Sequence, residues 1–128
     1  LKSCIASTHP ALASGGVFCF NTVDKNKIDS SAFVRHTAEH HGSHFAFSSG
    51  WRYSGRGKQQ SLRLKIEKTT GLHTETWQDE HPMVAVTFDE LQQLLHPYFE
   101  VHVFEHDYEK LIPSDGASGN AIFCCVKI

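Results

Sequence analysis

The chain lacks most of the features that would fix its class at a glance. No apolar run approaches the roughly 20 residues a membrane-spanning helix needs, and no signal peptide opens the sequence, so a cytoplasmic protein with no membrane span is expected. Positive charge is in short supply: 12 Lys and Arg stand against 14 Asp and Glu, a net charge of -2. Phosphate-backbone binding needs a clustered basic excess, so nucleic acid is excluded as a partner. Cysteine is sparse. Cys4, Cys19, Cys124 and Cys125 have no metal-site spacing and lie in or beside apolar stretches, which predicts buried, reduced thiols. No Gly-x-Ser-x-Gly elbow is present, so a Ser/His/Asp hydrolase has no support. With 128 residues, the chain is a single domain (1–128) or part of a larger one.

What is present is organised around Leu12 to Asp24. A Gly15-Gly16 turn leads into the unalternating apolar run Val17-Phe18-Cys19-Phe20, closed by Asn21, Thr22 and Asp24. Such a run predicts a strand covered on both faces, the habit of parallel strands in layered α/β proteins. The two glycines would supply the positive φ that a helix-to-strand turn requires. Asn21, Asp24 and Asn26 follow the strand, where open α/β sheets place their ligands. They are also natural turn formers, because Asn and Asp side chains bond their own backbone.

Around this stretch the elements read as follows. Cys4, Ile5, Thr8 and Leu12 fall at helical spacing, predicting a short helix that ends near Ser14, with Pro10 as a late kink. Ser30 to Ala38 predicts a second helix, stopped at Gly42. From residue 43 to 86 the pattern changes to alternation, predicting an inserted antiparallel β flap with strands near Arg52–Tyr53, Ser61–Lys68, His73–Gln78 and Met83–Val86. Thr87 with Glu90 is a capping box opening a helix to His96. Phe99–Tyr108 and Ala121–Ile128 predict two strands, the last apolar and buried on both faces, inserted between its neighbours.

Several side chains invite chemistry. His36 and His40 stand at i,i+4 on the predicted helix, with Glu39, His41 and His44 nearby. Spacing alone does not fix ligand geometry, so the set reads as a polar helix end and no metal is assigned. Trp51, Tyr53 and Trp77 read as packing residues of the flap, with Trp51 and Tyr53 candidates for lining an apolar substrate pocket. His73, His81, His102 and His106 suit general-base work by their pKa, but no residue is singled out as catalytic. Arg52, Arg56, Lys58, Arg63, Lys65 and Lys68 form a locally basic middle, read as solvated strand faces.

The order Leu-x-x-Gly-Gly-Val-Phe-x-Phe-Asn-Thr at Leu12–Thr22, the Thr87–Tyr98 helix, and the strands Phe99–Tyr108 and Gly119–Lys127 resemble the C-terminal half of class I S-adenosylmethionine-dependent methyltransferases of the small-molecule type. The resemblance implies an α/β fold: the C-terminal part of a Rossmann-like seven-stranded sheet, carrying the flap. That family holds S-adenosylmethionine with a glycine-rich turn and an acidic residue, neither of which this chain has. The resemblance therefore implies an acceptor-side portion, inactive by itself. Asn21, Asp24, Asn26, Trp51 and Tyr53 would meet a small-molecule acceptor, under a flap over the site. The alternative is a non-catalytic α+β binding or dimerisation domain that forms a homodimer through an exposed sheet edge.

Overall fold

A computed structural model describes residues 1–128. The chain divides into two compact units, residues 1–27 with 86–128, and residues 28–85.

The first unit contains helix α1 (Lys2–Ala11), strand β1 (Val17–Val23), a 3-10 turn at Lys25–Lys27, helix α2 (Phe88–Leu95) and strands β6 (Phe99–Glu105) and β7 (Asn120–Lys127). Its three-stranded sheet has the order β1-β7-β6, both pairings antiparallel. The last strand is thus inserted between its neighbours, as predicted, and β1 and β6 run parallel to each other across it. One face of this sheet meets the helices. Phe99, Ala121, Phe123 and Cys125 are buried there with Ile5 of α1 and Phe88, Leu91 and Leu95 of α2. Fully burying such side chains contributes about 1.5–3 kcal/mol each.

The double-sided burial expected of β1 and β7 is not observed. β1 alternates, with Val17 53% exposed and Cys19 and Asn21 also exposed, while Phe18 and Phe20 turn inward. β7 buries Ala121, Phe123 and Cys125 and leaves Ile122, Cys124 and Val126 half-covered. Apolar residue type did not distinguish a strand between two layers from one with helices on a single face, because apolar side chains also contribute much of an ordinary exposed surface. The thiols divide in the same way. Cys125 is buried, whereas Cys4 and Cys19 are exposed rather than buried.

The turn before β1 uses its two glycines for different reasons. Gly15 has φ +71°, but Gly16 does not; a Cβ there would stand 2.8 Å from the Ala13 carbonyl oxygen. Helix α1 ends at Ala11, earlier than predicted, one residue after Pro10. The far end of β7 fastens this corner: the Lys127 N–H donates to Gly16 O at 2.9 Å and its Nζ to Leu12 O at 2.7 Å. Strand β6 ends at Glu105, short of the predicted Tyr108.

The second unit is a four-stranded antiparallel meander, β2 (Val34–His40), β3 (Ser43–Tyr53), β4 (Gln59–Thr70) and β5 (His73–Val84), in that order. Here lies the main correction: Ser30 to Gly42 does not form a helix. β2 pairs with β3 through a two-residue turn at His41 and Gly42, with φ of +46° and +74°. Two successive positive φ values match the twist of a tight hairpin and do not end a helix in this way. Val34 and Thr37 are β-branched, and pairing along all of β2 outweighs a helical pattern resting on Phe33, Val34 and Ala38. The other strands are longer than alternation suggested, β5 running without a break through Pro82. Proline is tolerated there because β5 is an edge strand.

Candidate functional site

The predicted site residues fall in both units. Asn21, Asp24 and Asn26 belong to the first. Asn21 is exposed on β1, and Asn26 is exposed on the 3-10 turn. Asp24 has local work to do. Its Oδ1 accepts from Asn26 N–H at 2.9 Å, the turn-forming bond anticipated for this residue type, and its Oδ2 accepts from Phe88 N–H at 3.2 Å. Phe88 opens α2, so Asp24 places a carboxylate at the positive end of that helix.

The helix start is tied further. Thr87 Oγ1 accepts from Glu90 N–H at 3.0 Å, and Glu90 Oε2 accepts from Thr87 N–H at 2.8 Å, the reciprocal capping box read from the sequence. Lys25 Nζ lies 3.0 Å from Glu90 Oε2. The Thr87 N–H and then Lys25 hold the Glu90 carboxyl below its ordinary value. The loop after β1 is therefore fixed to α2 by two links, through Asp24 and through Lys25. Neither had a local signal, since each joins residues more than sixty positions apart.

Lys27 completes the loop, its Nζ donating to the carbonyls of Gly116 and Ala117. Gly119 is packed so closely on it that an added Cβ would collide with Lys27 Cβ. The polar end of β1 is a braced structure and not a free tail.

On the outer face of the same sheet, Cys19 Sγ lies 3.2 Å from Cys124 Sγ, where the register places the two opposite each other. Burial and then the neighbouring Cys19 raise the Cys124 thiol to about 11, and burial raises Cys125 to about 11 as well. His102 lies opposite Cys124 on the third strand, with its Nε2 3.2 Å from Glu100 Oε1. No group of three or more His, Cys, Asp or Glu is gathered as a metal would require. His36 and His40 are on a strand rather than a helix, and the Glu39 carboxylate is bonded to His44 Nδ1.

Trp51 and Tyr53 belong to the second unit, both half-buried on β3, opposite Leu62 and Gln60. The Tyr53 hydroxyl donates to Gly57 O at 2.9 Å, and its backbone exchanges bonds with the Ser30 hydroxyl at 3.0 and 3.1 Å. Alternate residues of the meander make one apolar face, including Phe45, Phe47, Trp51, Leu62, Leu64, Ile66 and Trp77. Its other face is polar and carries a groove of about 1080 Å³, lined by Arg52, Arg56, Lys58, Ser61, Glu80 and Pro82 among others. Sequence reasoning placed these cations on a solvated face and missed the groove, although the run Arg52, Arg56, Lys58 was visible.

The fold is that of about half of an S-adenosylmethionine-dependent methyltransferase chain. The structure superposes over 99% of its length on half (50%) of CalS10, an amino pentose methyltransferase from Micromonospora echinaspora solved with S-adenosylmethionine bound, at a TM-score of 0.72 and 12% identity. It covers the same shares of DesVI from Streptomyces venezuelae, at 0.71 and 16%. It also covers 98% of itself and 48% of the sugar N-methyltransferase KedS8 from Streptoalloteichus, at 0.68 and 9%. No protein-family model matches the chain, and no curated protein matches it in sequence. The chain thus spans about half the length of these solved chains, and at such identities the likeness is one of fold. The α/β architecture predicted from Leu12–Thr22 and the C-terminal elements is the one found. No helix is long and apolar enough to cross a membrane.

Proposed function

We propose that this chain is the acceptor-side, C-terminal portion of an S-adenosylmethionine-dependent methyltransferase acting on a small organic acceptor. The observation that carries the reading is the β1-β7-β6 order with the last strand between its neighbours, in a chain that fits over nearly all its length onto half of the methyltransferases CalS10 and KedS8. The chemistry is transfer of a methyl group from the sulfonium to a nucleophilic O, N or C, and the protein's share is chiefly positioning and exclusion of water. In this reading Trp51 and Tyr53, half-buried on β3 of the second unit, offer apolar contact to a substrate. Asn21 and Asn26 offer amide donors and acceptors at the end of β1, and Asp24, occupied by Asn26 and Phe88, holds that loop in place. S-adenosylmethionine would be held mainly by parts of the enzyme other than this chain, which has no Gly-x-Gly-x-x-Gly turn. Four free thiols favour a reducing compartment, and so the cytoplasm.

The test has two arms. The gene product in which this chain occurs should transfer labelled methyl from S-adenosylmethionine to small amino- or hydroxyl-bearing acceptors. Calorimetric titration of the 128-residue chain alone should show no saturable binding of S-adenosylmethionine near micromolar, about -8 kcal/mol. A product that binds the cofactor but methylates none of the acceptors would sink the acceptor assignment. Micromolar binding by the chain alone would sink the proposed division of the site.

A second reading has an observation in its favour. Every residue of the edge strands β2 and β5 is exposed. A non-catalytic binding domain that dimerises by edge pairing would use one of them, and Pro82, lacking an N–H, makes β5 the poorer candidate. Light scattering separates the two: a tight homodimer indifferent to S-adenosylmethionine favours the second reading, and a monomer removes it.

A further inference from the structure

We infer that the groove on the polar face of the second unit binds a small phosphate-bearing molecule that also carries hydroxyl groups. This does not depend on the methyl-transfer reading. The first ground is charge. The lysines of ion pairs are Lys25 with Glu90, Lys65 with Glu67 and Lys68 with Glu75, so the neighbouring Lys65 and Lys68 are neutralised. Arg52, Arg56 and Lys58 have no carboxylate partner, and all three line the groove. Its one carboxylate is Glu80, which accepts from the Ser61 hydroxyl. Three cations and one carboxylate leave two positive charges unneutralised in one concavity, which suits a phosphate dianion better than a single carboxylate. Arginine adds a fork of donors matched to phosphate oxygens.

The second ground is that the cations stand on a braced frame. The connection from β3 to β4 turns through Gly55 and Gly57, with φ of +84° and +75°. Tyr53 holds Gly57 O through its hydroxyl, Ser54 Oγ bonds both the N–H and the carbonyl of Arg56, and Ala85 N–H closes on Lys58 O at 2.9 Å. Arg52 rises from β3 opposite Ser61, two residues from Gly50. A Cβ at Gly50 would meet the Phe33 ring at 2.9 Å, so the ring lies against the strand there and bounds the face beside Arg52. At the opposite side of the groove, on β5, Glu80 presents acceptor oxygens. The phosphate belongs among Arg52, Arg56 and Lys58, and a ligand hydroxyl belongs at Glu80.

Ribose 5-phosphate is the probe, titrated into the 128-residue chain at about 50 mM salt with calorimetric and NMR readout. Saturable binding is expected, falling steeply as salt is raised to about 200 mM. The double variant Arg52→Gln/Arg56→Gln should weaken it by about tenfold or more, whereas Lys65→Gln, on the same strand face but paired with Glu67, should change it less than about twofold. Arg52 and Arg56 are exposed and Lys65 is half-buried, and unchanged circular dichroism will show that the variants fold. Inorganic phosphate should bind more weakly than ribose 5-phosphate, ribose should not bind, and Glu80→Gln should narrow the gap between the two phosphates. Absence of saturable binding, equal losses in the double variant and Lys65→Gln, or equal affinity for the two phosphates would overturn the proposal.

Discussion

Thr87→Ala isolates the one local device that was legible in the sequence and present in full in the structure. The hydroxyl accepts the Glu90 N–H, one of the four amide donors that a helix start leaves without an internal partner. The substitution removes that acceptor but leaves the reverse bond, from Thr87 N–H to Glu90 Oε2, and the Lys25 contact. Loss of such a cap costs about 1 kcal/mol, within a range of roughly 0.5–2. For a denaturant slope of roughly 1.5 kcal/mol per molar, the urea midpoint should fall by about 0.7 M. The melting midpoint should fall by about 3–5 °C. The probe matters, because both helices are in the first unit and both tryptophans, Trp51 and Trp77, in the second. Circular dichroism at the helix band should show the shift, and tryptophan fluorescence tests whether the second unit follows. Thr87→Ser should keep most of the stability. An unchanged helix-band midpoint in Thr87→Ala would refute the argument that this cap secures α2.

Other expectations follow from the same contacts. Phe123→Ala should cost about 3–5 kcal/mol, since the ring is fully buried against Phe20 and Phe88, and Phe123→Asp should abolish cooperative folding of the first unit; a soluble, cooperatively melting Asp variant would contradict the sheet described here. Gly119→Ala should destabilise by about 1–2 kcal/mol or more, from φ +67° and the approach to Lys27, as a urea titration would show. The Glu90 carboxyl is held below its ordinary value of 4.5, so its contribution is present above that value and fades as pH falls through the lower folded value; Glu90→Gln should flatten the acid limb of stability against pH. Alkylation followed by mass spectrometry at pH 8 should label the exposed Cys4 and Cys19 ahead of Cys124 and Cys125, because thiols near 11 are only about one part in a thousand thiolate there and Cys125 is buried besides.

Determined by the sequence alone were the features written in neighbouring residues. The capping box at Thr87 and Glu90 needs only four positions. The Gly15 turn and the alternation through Leu62, Leu64 and Ile66 are equally local; the order of the elements carried the family resemblance that implied the α/β fold, and with it went the inserted final strand. Tertiary structure decided what depends on partners distant in the chain. Val34 to His40 became a strand because β3 offers it a full ladder, which a pattern with three apolar residues could not outweigh. Val17 to Phe20 turned out to be covered on one side only, because where α1 and α2 lie is not encoded in the strand's own composition. Asp24 and Lys25 meet α2 across more than sixty residues. The cations Arg52, Arg56 and Lys58 were visible as a run, but which lysines and arginines find a carboxylate was settled by the fold: β5 sets Glu75 opposite Lys68, the extended β4 turns Glu67 to the same face as Lys65, and these three are left without. Short-range chemistry is carried by the sequence; pairing between distant strands, and the charge balance it sets, exists only once the chain has folded.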